Sequence, residues 1–151
     1  MTQAYVALGA NLGDAQATLR RAIDDLASLP HTRLAAYSSL YRSAPVQAQG
    51  PDFINAVVEL HTELDPMALL AELQRLEREA GRERPYHNAP RTLDLDLLLH
   101  GDTVLHRPAL TLPHPRMNER AFVLLPLAEI APGRVSPALL AQVADQRVER
   151  L

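Results

Sequence analysis

Cysteine, lysine and tryptophan are all missing from these 151 residues. Without cysteine there is no disulfide framework, thiolate metal site or thiol nucleophile. Without lysine there is no Walker-type phosphate-binding lysine, Schiff-base lysine or protein-kinase strand lysine. All 15 basic side chains are arginines, so any phosphate handled here is held by guanidinium groups, backbone amides or metal ions. Aromatic residues make up 4%, too few for base-stacking platforms, and the net charge of -3 argues against a general nucleic-acid binder. No apolar run approaches the roughly 20 residues that cross a bilayer. The start Met1-Thr2-Gln3-Ala4 lacks the charged-then-apolar order of a signal peptide. A cytoplasmic protein with neither nucleic acid nor membrane as partner is expected.

What is present suits one domain over residues 1–151, because 47% hydrophobic residues in a chain of this length can bury a substantial core. Tyr5-Val6-Ala7-Leu8, stopped by Gly9, predicts a buried strand. Asp14 caps a helix whose apolar residues Leu19, Ala22, Ile23, Leu26 and Leu29 recur at helical spacing up to Pro30. Leu34 to Tyr41 predicts a second strand, Arg42 to Pro51 a turn-rich segment and Phe53 to Leu60 a third strand. Asp65-Pro66 starts a helix with Leu69, Leu70, Leu73 and Leu76 on one face, and Gly81 ends it. Arg82 to Thr92 predicts a loop and Leu93 to His100 a fourth strand. A helical stretch from Asn118 to Ile130, interrupted at Pro126, and a short helix capped by Ser136-Pro137 follow. Strand, helix, strand, strand, helix, strand is the α+β, ferredoxin-like order: an antiparallel sheet with helices packed on one face.

Three segments carry chemistry. In Leu93-Asp94-Leu95-Asp96-Leu97-Leu98-Leu99, strand alternation sends Leu93, Leu95, Leu97 and Leu99 into a core and puts Asp94 and Asp96 on the other face, about 6.5–7 Å apart. A solvated strand face explains such a pair. An oxygen-rich site for magnesium and substrate phosphates explains it too, and Leu98 on the same face favours the second reading. Arg82, Arg84 and Arg91 flank the loop leading into this strand, where they either neutralise phosphate oxygens or are simply solvated. Arg75, between Glu72 and Glu79, reads as a surface ion pair, and Arg78 as solvated. Phe53 and Asn55 share one strand face, where a ring beside an amide suits a flat polar heterocycle, although a phenylalanine in a strand is commonly core. The turn Ser43-Ala44-Pro45-Val46 could add backbone groups to the same ligand. Gly9 to Gly13 lacks both Walker spacing and the three-glycine dinucleotide fingerprint, so it reads as a strand-to-helix turn. His114 could donate to phosphate, whereas His31, His61, His87, His100 and His106 show no metal-ligand spacing.

Together, Ala7-Leu8-Gly9-Ala10-Asn11-Leu12-Gly13, Ser39 to Pro45, Asp52-Phe53-Ile54-Asn55-Ala56, Gly81-Arg82, Pro90-Arg91-Thr92-Leu93-Asp94-Leu95-Asp96 and Leu112-Pro113-His114-Pro115-Arg116-Met117 resemble the 6-hydroxymethyl-7,8-dihydropterin pyrophosphokinases. The resemblance runs nearly to Pro132. It implies transfer of the diphosphate of ATP to the pterin hydroxymethyl group in folate biosynthesis, releasing AMP. Carried over position by position, it implies Asp94 and Asp96 as ligands of two magnesium ions, and Arg82 and Arg91 as catalytic with them. It implies Gln74, Glu77, Arg82, Arg84, Arg91, Thr111, His114 and Arg120 around ATP. Phe53, Asn55 and Phe122 are implied around the pterin ring, with Ser43, Pro45 and Val46 along its edge. Asn88 stands where some members carry a tryptophan, and Pro115 where some carry a tyrosine. ATP and the pterin alcohol are the expected partners of a chain expected to be a monomer. A metal-dependent phosphohydrolase and a non-catalytic ligand-binding module are the competing readings of the same residues.

Overall fold

The computed structural model describes residues 1–45, 50–81 and 93–151. The first strand, β1 (Thr2–Ala10), lies inside the main sheet, with a strand paired on either side of it. It is followed by α1 (Ala15–Ala27), whose N-cap Asp14 accepts from the Ala17 amide at 3.1 Å. Next come β2 (Thr32–Tyr37), β3 (Tyr41–Ser43) and β4 (Phe53–Thr62). The second helix, α2 (Pro66–Ala80), starts where the Asp65 carboxylate accepts from Ala68 N–H at 2.8 Å and has Gly81 at its C-cap. After it lie β5 (Asp94–His100), the small hairpin β6 (Leu105–His106) and β7 (Thr111–Leu112), α3 (Ala121–Ile130), α4 (Pro137–Gln142) and β8 (Val148–Arg150).

The main sheet runs β5-β1-β4-β3-β8, with β2 also pairing β4, and its pairings among the described residues are antiparallel. This is the ferredoxin-like order that the sequence predicts, extended by β8. Alternation along β1 divides two cores. Ala4, Val6, Leu8 and Ala10 pack with Leu19 and Leu26 of α1 and Leu69, Leu73 and Leu76 of α2. Tyr5 and Ala7 face the opposite way, toward Val123, Leu124 and Leu127 of α3. Helices therefore cover both faces, not one. The apolar character of 121–127 explains it: Ala121, Val123, Leu124 and Leu127 bury against the second side of the sheet, which would otherwise expose Val57 and Leu98.

Local differences from expectation have local causes. Gly9 does not stop β1, because β4 and β5 pair with it on either side and strand pairing overrides glycine's weak propensity. The expected strand Leu34–Tyr41 is two strands, broken where Ser38 Oγ accepts from the Val57 amide at 3.0 Å and stands in for a backbone partner. Helix α1 ends at Ala27, two residues before the last expected apolar position, although Leu29 is still buried. Pro126 lies inside α3 without ending it. Leu99 is not in the core shared by Leu93, Leu95 and Leu97. A bulge pairs Val6 with Leu97 and Tyr5 with Leu99, which turns Leu99 with Leu98 toward the α3 side.

Candidate active site

Antiparallel register lines up three strands at one level. Gly9 of β1 pairs with Asn55 of β4 on one side and with Asp94 of β5 on the other. Two residues along, Ala7 pairs with Asp96, and on the far side Ser43 of β3 pairs with Phe53. Because paired residues point to the same face, these side chains meet over the sheet. Ala7, Gly9, Ser43, Phe53, Asn55, Asp94 and Asp96, joined by Arg120 and Phe122 from the start of α3, line a cavity of about 170 Å³.

One end of the cavity is held rigid. Asn55 is 4% exposed, and its Oδ1 accepts from Ser43 Oγ at 2.6 Å. That bond fixes the amide orientation and directs Nδ2 toward Gly9, where a Cβ would lie 3.5 Å away. Phe53 is half-buried beside it and Phe122 stands at the wall. The Arg120 guanidinium sits 5.5 Å from the Phe122 ring centroid, a cation–π arrangement that aims a positive charge into the cavity. Both Asp94 and Asp96 are exposed at the other end, and Asp96 has no hydrogen-bond or ion-pair partner among the described residues.

His114 lies near this acidic end. Its backbone N–H bonds Leu98 O at 2.9 Å, tying it to β5, and its Nδ1 accepts from the Arg116 amide at 3.2 Å. In the neutral ring the proton is therefore assigned to Nε2, which remains a donor. Burial lowers the His114 pKa; the Asp96 carboxylate opposes this, and Arg120 and Arg116 add to the lowering. Thr111 is half-buried in β7. Gln74 is exposed on α2 and Glu77 turns to β5, where its carboxylate accepts from Leu95 N–H at 2.9 Å. Neither lines the cavity, and nor does Pro45. Val46, Arg82, Arg84, Asn88 and Arg91 fall outside the described residues.

A further carboxylate on the α3 side of the sheet is Glu129, which sequence reasoning passed over. It accepts Ser39 N–H at 3.0 Å, Ser39 Oγ at 3.0 Å and the Tyr41 hydroxyl at 2.6 Å, with Arg150 Nη2 at 3.5 Å. Burial pushes its pKa up, but the Tyr41 hydroxyl and the Ser39 amide and hydroxyl outweigh that and hold it below the usual range. Burial, then the hydrogen bond and charge of Glu129, push Tyr41 up to about 12. The cluster joins α3 to β3 and β8. It thus anchors the strand whose Ser43 orients Asn55. Only spacing within one strand was available to find such a site from sequence, and Glu129 lies 90 residues from Ser39. Gly9 was missed for a related reason: it reads as a turn until its pairing is known.

Magnesium commonly binds one or two carboxylates and completes its shell with water and substrate phosphates. Asp94 and Asp96 fit that habit, since they supply two carboxylates on one exposed face. The described residues offer no group of three or more His, Cys, Asp or Glu that could hold an ion alone. Water and substrate oxygens would complete the shell.

An α+β sheet with a cavity between a locked amide and paired carboxylates defines a small-molecule site of the phosphoryl-transfer kind. Residues 5–132 match the 7,8-dihydro-6-hydroxymethylpterin-pyrophosphokinase family, and the chain belongs to it. It is 47% identical to the 2-amino-4-hydroxy-6-hydroxymethyldihydropteridine pyrophosphokinase of Pseudomonas aeruginosa, with 97% of this chain and 95% of that protein covered. Identity to the protein of the same name from Haemophilus influenzae is 43%, over 100% of this chain and 99% of the relative. Among solved structures, an HPPK-DHPS in complex with substrates has a TM-score of 0.70 at 13% identity. The match covers 95% of this chain and 43% of that one, and it speaks to the fold alone.

Proposed function

We propose that this chain transfers the diphosphate of ATP to the hydroxymethyl group of 6-hydroxymethyl-7,8-dihydropterin, releasing AMP, in folate biosynthesis. The reading is supported by membership of the family together with the placement of Phe53 and Asn55 at one end of a cavity and Asp94 and Asp96 at the other. Asn55 reads the edge of the pterin through an amide fixed by Ser43, and the ring stacks between Phe53 and Phe122. The hydroxymethyl group then points to the acidic end. Its oxygen attacks the β-phosphorus in line and gives up its proton to solvent, and the bond from that phosphorus to the oxygen of AMP breaks.

Asp94 and Asp96 hold magnesium in this scheme, two ions being expected. When bound, the metal neutralises and aligns the polyphosphate. His114 donates from Nε2 to a phosphate oxygen, and Arg120 adds positive charge where the two substrates meet. Arg82, Arg84 and Arg91 supply the remaining cations, Arg82 and Arg91 offsetting the charge that shifts within the polyphosphate during transfer. Gln74, Glu77 and Thr111 act around the nucleotide, with Glu77 working through its bond to the β5 backbone. Pro45 and Val46 border the pterin. Catalysis rests on positioning and charge neutralisation, without a covalent intermediate. A monomer suffices, since both ends of the cavity come from one chain.

The product pattern tests this. Protein, magnesium-ATP and the pterin alcohol should give AMP and a pterin diphosphate in equal amounts, and a chelator should stop the reaction. Formation of ADP, or of free phosphate regardless of pterin, would identify a different transfer, and no turnover would favour a binding module.

A further inference from the structure

Asn55 and Asp94 sit two strands apart with Gly9 between them at the same level. At about 4.8 Å per strand, the spacing from β4 to β5 is roughly 10 Å. A ring read by Asn55 at one end and reacting beside Asp94 at the other must cross β1, and it crosses at residue 9. Any side chain there would rise from the sheet into the path.

The glycine has no backbone reason to be a glycine. Its φ is not positive, unlike those of Gly13, Gly50 and Gly101. A Cβ built on it would meet Asn55 Nδ2 at 3.5 Å and Phe53 Cδ1 at 3.9 Å, which are ordinary van der Waals distances. The fold therefore has room for an alanine, but the space that its methyl would fill belongs to the cavity. Glycine in a strand interior is also unfavourable relative to alanine, so stability gives no reason to retain it.

We infer that Gly9 is a specificity-determining residue of the pterin site: its missing side chain leaves the room that the edge of the stacked bicycle needs to reach both Asn55 and the acidic end. This inference rests on the placement of the pterin in the cavity given under Proposed function. Gly9→Ala should raise the Kd of the pterin alcohol about tenfold, by overfilling a shape-matched site. The Kd of magnesium-bound ATP should change less than about twofold and the melting temperature should stay level or rise. Asn55→Ala, measured in parallel, separates the two layers. If Asn55→Ala weakens pterin binding and Gly9→Ala does not, the inference about Gly9 is wrong and the site stands. If neither substitution weakens it, the placement of the pterin is wrong and the inference falls with it. A lower melting temperature for Gly9→Ala with equal losses for both ligands would make residue 9 a folding position and also overturn the inference.

Discussion

Glu129 and Asp96 are both carboxylates on the α3 side of one sheet, and they differ in nearly every physical respect. Glu129 is surrounded by donors from Ser39, Tyr41 and Arg150, and its lowered pKa records that these bonds favour the charged form. Asp96 is exposed, carries no hydrogen bond or ion pair among the described residues, and faces a cavity. A carboxylate saturated by its own protein has its lone pairs committed to holding elements together. One whose oxygens remain available on a rigid strand can bind something that arrives. The same residue class is therefore committed to architecture at one place and left available to a ligand at another, and the donors around it decide which.

The comparison breaks most visibly at Asp96. Asp96→Asn keeps the shape but removes the charge, and turnover should fall on the order of 1,000-fold, as expected when several kcal/mol of charge stabilisation are lost. Its melting temperature should move by no more than about 2 °C, since an exposed substitution rarely costs more than about 0.5 kcal/mol. Near-normal turnover would remove Asp96 from the chemistry.

Glu129→Ala should do the reverse in kind. The buried Tyr41 hydroxyl loses its acceptor and the Ser39 donors lose theirs, at about 2 kcal/mol, lowering the melting temperature by about 4–8 °C. The turnover of the folded fraction should drop only a few fold, through a looser β3 and Ser43. An unchanged melting temperature would mean that the cluster is not the anchor described.

The smallest effect lies in the pH dependence of stability. Since the folded Glu129 carboxyl titrates below its usual value, its contribution is complete above the unfolded carboxyl range and is lost as pH falls through the folded value. Tyr41, raised to about 12, contributes fully below its ordinary value of 10.0 and loses that contribution as pH rises toward 12. The stability difference between the wild type and Glu129→Gln should therefore narrow at acid pH. A difference constant from acid to neutral pH would show that the charge of Glu129 does not matter.

Much of the framework was legible because local signals agreed with the final packing. Asp65-Pro66, the leucines of α2 and Gly81 mark a helix whose ends need no tertiary information. Asp94 and Asp96 announce themselves by alternation, and Phe53 with Asn55 by a shared strand face. Arg75 bonds Glu72 and Glu79 at 2.8 and 2.9 Å, as its spacing implies. Illegible features were those fixed by distant pairing. Ser38 breaks the second strand only because Val57 lies beside it, Leu99 changes side at a bulge, and β8 forms by pairing against β3. Gly9 and Glu129 gained their roles in the same way, from neighbours more than 40 residues away.

The most direct test of the division between the two carboxylates is the magnesium dependence of nucleotide binding to Asp96→Asn, measured by titrating a non-hydrolysable ATP analogue with and without the ion. The account predicts that magnesium tightens binding strongly in the wild type and in Glu129→Gln but hardly at all in Asp96→Asn. Wild-type magnesium dependence in Asp96→Asn would contradict it.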